Sequence, residues 1–251
     1  MKNLYLAVLA TVASLSVAAQ ALFIPQGKIE YEKKINLKKQ MEAMKDDDQN
    51  DFWSSMIAKA LPQTAAVYFD LYFDDTKTLY KPGKEVATQK IPDWIMGPAL
   101  DNTVYNDLAS KQTVAQKSVF ESTFLIQDSL KKYDWKISAD ARTIAGFQCR
   151  KATTIIMDSV YVIAFYTDQI LTSGGPESFH GLPGMILGIS IPRLNTTWMA
   201  TKLELIPVKP TDLVAPKKGK KITAASLNGQ LKESMKDWGK NGQKNTWQVM
   251  L

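Results

Sequence analysis

The chain has 251 residues, a formal net charge of +6, 45% hydrophobic residues, one cysteine and one histidine. One cysteine excludes an intrachain disulfide, and one histidine excludes every metal site or catalytic triad that needs two, H-E-x-x-H included. The positive charge is spread out apart from Lys217, Lys218, Lys220 and Lys221, a run with neither interleaved aromatics nor a binding motif, so nucleic acid is not an expected partner.

The chain opens with MKNLYLAVLATVASLSVAAQA. Lys2 supplies a positive start, an apolar run follows from Leu4 to Ala19, and Ala19 and Ala21 form an A-x-A site. This pattern predicts a secretory signal peptide over residues 1–21, with residues 22–251 as one domain. The run is interrupted by Thr11, Ser14 and Ser16 and falls short of the roughly 20 residues that span a bilayer. No later stretch is long and apolar enough either, and no cysteine follows the cleavage point to accept a lipid anchor.

Alternation of Ile29, Tyr31, Ile35 and Leu37, with Lys33 as the exception, predicts a half-buried strand from Gly27. Lys38 to Leu61 lacks Gly and Pro and stops before Pro62, which predicts one helix, or two broken at Asp46 to Asp48. Val67, Phe69, Leu71 and Phe73 then share one face of a strand that turns at Asp74 to Thr76 into a short partner through Leu79 and Tyr80. Pro92 to Asn102 reads as a loop and Thr103 to Leu108 as another strand. From SVFESTFLIQDSL to DSVYVIAFYTDQI, β-rich pieces alternate with polar turns, and the last has the apolar centre of a strand paired on both sides. MILGISI and TWMATKLELI form a hairpin about Pro192 to Asn195, with Trp198 and Ala200 on one face and Met199 and Leu203 on the other. Leu227, Leu231, Met235 and Trp238 follow helical spacing, with Thr223 or Ser226 as the start cap and Gly239 as the end cap. The expected fold is a β-dominated α+β domain. A curved, largely antiparallel sheet, open or a partial barrel, packs with an N-terminal helical insertion and a C-terminal amphipathic helix.

The stretch GGPESFHGLPGMILGISIP, from Gly174 to Pro192, carries the sharpest question. It has no lysine for a phosphate loop, and Ser178 lacks the flanking glycines of a nucleophile elbow. The acidic knot begins at calcium-loop spacing with Asp46, Asp48 and Asn50. It then places Asp51 where glycine is needed and Ile57 where a glutamate should chelate. No motif points to a metal, a cofactor or a catalytic residue. A Cys149/His180 pair and an unrecognised pair of carboxylates remain the routes to a hydrolase, but GFQCRKA resembles no nucleophile motif, and Cys149 is expected to be buried. The glycines and prolines suit a rigid corner before a buried strand. Phe179, His180, Gly181, Leu182, Pro183 and Gly184 are the candidate residues, either as that corner or as the mouth of a ligand site.

These residues resemble the GLPGLI family of exported Bacteroidota proteins. Gly181-Leu182-Pro183-Gly184-Met185-Ile186 repeats the signature with Met in place of Leu, after Gly175-Pro176 and Phe179. Upstream, Leu125-Ile126-Gln127-Asp128, Trp135-Lys136-Ile137, Ile144 to Ala152 and Ala164-Phe165-Tyr166-Thr167 follow in the family's order. Phe165 stands where members have Trp, and Ile170-Leu171 where they often have Ile-Pro. The resemblance implies a β-rich protein of the periplasm or the inner face of the outer membrane, and it carries over no catalytic residue or cofactor. It leaves an outer-membrane protein, a lipid, a glycan or a peptide as partner. The expected function is a non-enzymatic binding or accessory module, with a hydrolase as the alternative.

Overall fold

The computed structural model describes residues 23–44, 56–57, 59–85, 91 and 93–251. The predicted signal peptide and the acidic knot lie outside them.

Strand β1 (Gly27–Asn36) leads into helix α1 (Leu37–Met44), and β2 (Thr64–Phe73) and β3 (Lys77–Pro82) form the expected hairpin. The predicted loop before β4 (Thr103–Asp107) contains a short helix, α2 (Asp93–Met96). Strands β5 (Gln112–Val119) and β6 (Ser122–Ser129) continue the antiparallel run, and the chain then crosses to the far edge of the sheet, where β7 (Lys136–Ile144), β8 (Phe147–Ile156) and β9 (Val160–Thr167) form a second meander. The corner then feeds β10 (Met185–Ile191), which pairs with β11 (Thr196–Glu204) across a 3-10 turn at Pro192–Leu194. Asn195 ends that turn in the left-handed conformation, φ 52°. A last short strand, β12 (Lys220–Ile222), precedes helices α3 (Ala224–Ser234) and α4 (Gly239–Met250). The single C-terminal helix read from the sequence is therefore two helices. Thr223 caps α3 by accepting from the Ser226 amide, and Gly239 (φ 53°) closes the 3-10 turn Lys236–Trp238 that follows α3 and also begins α4.

All twelve strands belong to one open sheet, in the order β12-β6-β5-β4-β3-β2-β1-β11-β10-β9-β8-β7. Each pairing is antiparallel except β12 with β6. The sheet curls hardest at its β7 end. Strand β7 comes back into contact with β11, four places away, whereas flat strands at the usual spacing would sit about 19 Å apart. Gly188 makes this approach possible, since a Cβ there would lie 2.8 Å from Ile144 Cδ1 and 3.0 Å from Met199 Sδ. Register shifts in β7, β1 and β10 add to the bend.

The inner face carries the main core, including Ile29, Tyr31, Phe69, Tyr80, Ile186 and Trp198, each at most 1% exposed. Burying an aliphatic or phenylalanine side chain of this kind contributes roughly 1.5–3 kcal/mol. A second, smaller cluster joins α1 to α2 through Ile35, Leu37, Met41, Ala65, Ile95 and Met96. Leu227, Leu231 and Met235 seal α3 to the main core. No helix among the described residues is long and apolar enough to cross a membrane.

Candidate functional site

The corner between β9 and β10 folds inward over the sheet. Gly184 has φ 138°, and a Cβ there would come within 2.0 Å of the Thr167 carbonyl oxygen, so the backbone passes where no other residue fits. Gly181 has φ 93° and donates its amide to Ser173 Oγ at 2.8 Å. Leu182 and Phe179 are buried, Gly181 and Pro183 are exposed, and His180 is half-buried. The Phe179 ring lies 5.4 Å from Tyr133, and the His180 ring stands edge-on to Tyr133 at 5.5 Å. Trp135 Nε1 donates to the His180 carbonyl at 2.9 Å, which ties the corner to the chain before β7. Burial holds the His180 imidazole below its ordinary pKa.

The same corner delivers a carboxylate to the interior. Glu177 is 1% exposed and takes φ 54°, an unfavourable conformation for a residue with a side chain. Its Oε1 faces Lys33 Nζ at 3.4 Å, and its Oε2 accepts from Asn102 Nδ2 at 2.8 Å. Lys33 lies on the buried face of β1, which explains its break in the apolar alternation. It also donates to the Ala99 carbonyl and sits over the rings of Phe69 and Trp198, 5.7 and 5.2 Å from their centroids. Burial lowers the Lys33 pKa, with Glu177 acting in the opposite direction. Beside this pair the Tyr80 hydroxyl is pushed well above its usual pKa, by burial first and then by Glu177.

A cavity of about 390 Å³ opens next to this cluster, between β4 to β6, the corner and the end of α4. Ala115, Ile126, Ala224, Val249, Met250 and Leu251 give it apolar walls. Lys117, on the inward face of β5 and 4% exposed, forms its floor and donates to the Val249 carbonyl at 2.8 Å. Exposed Ser129, Lys131 and Lys132 form the rim, where Lys131 Nζ donates to the Met250 carbonyl at 2.5 Å. Ser178 donates to the Leu251 carbonyl, and its oxygen lies 3.1 Å from the Tyr133 hydroxyl. Three donors thus meet main-chain oxygens of three successive residues at the end of α4, groups that a helix leaves without internal partners. Burial brings the Lys117 pKa down to about 7, against the opposing pull of Glu177.

Among the six candidate residues of the corner, none lines this cavity; their neighbour Ser178 does. Lys117 and Lys131 were not singled out from the sequence, and Asp128 entered only as the end of the segment Leu125-Ile126-Gln127-Asp128. The signal for Lys117 was present: Thr113, Ala115, Lys117 and Val119 alternate on one face, and a lysine among small and apolar inward positions marks a polar interior.

Cys149 is fully buried in β8, its thiol directed at the Phe147 carbonyl 3.5 Å away. Burial pushes its pKa up to about 11, which suppresses the thiolate that nucleophilic attack requires. The Lys217 to Lys221 run is exposed and continues into edge strand β12.

A family model matches this corner. It covers residues 155–188, from the end of β8 through β9 to Gly188, and describes a protein of unknown function (Porph_ging). No curated protein matches the chain. Two solved structures of PNGF-II, in the C2 and P21 space groups, share the fold, each with a TM-score of 0.51 and 15% identity. Both alignments cover 82% of this chain but only 32% and 33% of the PNGF-II chains, so the chain spans about a third of their length. At this identity the likeness is one of fold.

Proposed function

We propose that this protein is an exported binding or accessory module of the cell envelope, of the GLPGLI kind, which holds a ligand in the cavity between the corner and α4. The observation that carries this reading is the cavity itself. About 390 Å³ of space with mostly apolar walls and a few convergent polar groups is the usual make-up of a small-molecule site. The corner supports it from behind, since the ion pair of Glu177 with Lys33 holds the segment that places Ser178 on the wall. The hydrolase alternative is weaker in its cysteine form, because Cys149 is a buried, protonated thiol packed in the sheet.

The test is native mass spectrometry of protein purified from its own envelope fraction. A bound small molecule is expected, released on denaturation and missing from Ala224→Trp, which puts a large ring on the cavity wall. Protein that carries no ligand, or an Ala224→Trp variant that keeps one, would overturn the reading.

A further inference from the structure

We infer that the cavity is a site for a small amphipathic anion, an alkyl monocarboxylate of about a dozen heavy atoms at roughly 30 Å³ each, with Lys117 and Lys131 holding its carboxylate. This deepens the reading just given and rests on it. The first support is convergence. Lys117 and Lys131 reach the carbonyls of consecutive residues, Val249 and Met250, so their ammonium groups point at one turn of α4, and Ser178 reaches the next carbonyl, Leu251. The protein thus gathers three donors in one place, and the two ammonium groups offset the partial negative charge of the helix end.

The second support is donor capacity. An ammonium has three donors, and the hydrogen bond recorded for each lysine among the described residues is to a single carbonyl. Two lysines therefore have capacity to take a carboxylate without releasing α4. The third is charge. Lys117, Lys131 and Lys132 line the cavity against Asp128 as the one acidic side chain and the terminal Leu251, and the buried carboxylate of Glu177 is already engaged by Lys33 and Asn102. The rest of the lining includes Ala115, Ile126, Ala224 and Met250, which suit an alkyl chain rather than a sugar.

The proton balance gives a signature that a merely structural lysine lacks. Burial first, opposed by Glu177 and aided by the like charges of Lys131 and Lys33, brings the Lys117 pKa down to about 7. A carboxylate placed beside it favours the charged form, so in a slightly alkaline buffer binding must take up a proton.

The experiment is calorimetric titration of decanoate and of decanol into the delipidated full chain, in two buffers of different ionisation enthalpy. Saturable one-to-one binding of decanoate, net proton uptake and much weaker binding of decanol are expected. Lys117→Met and Lys131→Gln should each weaken decanoate by about tenfold to a hundredfold, the range for losing a hydrogen bond to a charged group. Because Lys117→Met could disturb folding, Lys131→Gln at the exposed rim and proton uptake by the unaltered protein are independent readouts. Equal binding of decanol, or decanoate affinity unmoved in both variants, would show that the lysines only cap α4 and would overturn the inference. If decanoate fails to bind while the natively purified protein carries a different ligand that Ala224→Trp excludes, the inference falls and the binding function stands. If neither is found, both fall.

Discussion

The two halves of the sheet solve the same packing problem in opposite ways. From β7 to β10 the buried groups include small or branched ones, Cys149, Ala152, Val162 and Ala164, and Gly188, which shares a face with Met199 and Phe165, lets the sheet curl until β7 meets β11. That half closes on itself. From β1 to β5 the inner face carries Lys33, Asn106 and Lys117, with Asn102 just ahead of β4, and the sheet stays open. It is closed from outside, by the corner and by α3 and α4. A strand face of small residues lets backbone approach backbone, whereas long polar side chains hold the layers apart and leave room for a cavity. The cavity accordingly lies in that open part of the sheet, on β4 to β6.

The largest effect is expected where the polar half depends on a single carboxylate. Glu177→Ala leaves the Lys33 ammonium buried without its counter-charge and should cost about 3–5 kcal/mol in urea unfolding. Pairing it with Lys33→Met should recover most of the loss. If Glu177→Ala unfolds like the unaltered protein, the polar half is not organised by this pair.

Gly184→Val tests the corner that joins the halves. Backbone strain at one residue costs on the order of 1–3 kcal/mol, and the overlap with the Thr167 carbonyl adds to it. A lower melting temperature and poor export yield are expected, and an unaltered melting curve would contradict a structural corner.

Lys117 makes the polar half sensitive to pH. Its folded pKa of about 7 lies below the ordinary lysine value of 10.5, so between these limits the unfolded chain binds more protons. Its contribution to stability is therefore full above 10.5 and lost as pH falls toward 7, with a slope of at most about 1.4 kcal/mol per pH unit. Lys117→Met should flatten that slope in unfolding measured across this window, and an unchanged profile would assign it to other groups.

In the curled half, Cys149→Ser should lower stability by about 1–3 kcal/mol, since it buries a hydroxyl with poor partners. The native thiol should label slowly with a thiol reagent, and rapid labelling would show that this half opens. His180→Ala is the smallest change, expected within about 0.5 kcal/mol of the unaltered protein, because the hydrogen bond from Trp135 goes to the backbone carbonyl and survives the substitution. Loss of ligand at unchanged stability would make His180 part of the site.

Most strands were legible because half-buried strands write their pattern locally. In β2, Phe69, Leu71 and Phe73 alternate with polar neighbours, and all three are fully buried. The tail from Gly239 was not legible, since KNGQKNTWQVM carries two asparagines and a glycine, poor helix formers, and its helix is held by tertiary contacts at Gly242, Val249 and Met250. Nor was the helix at Asp93–Met96, four residues long and set among turn-forming residues.

By itself the sequence determined the alternating strands, the β10 to β11 hairpin, the glycine corner and the burial of Cys149, because each depends on residues a few positions apart. The order of strands, the pairing of Lys33 with a glutamate 144 positions away and the meeting of Lys117 with Val249 across 132 were decided only by the tertiary structure. Local spacing sets which face a side chain takes, but only closure of the whole sheet sets what stands opposite it.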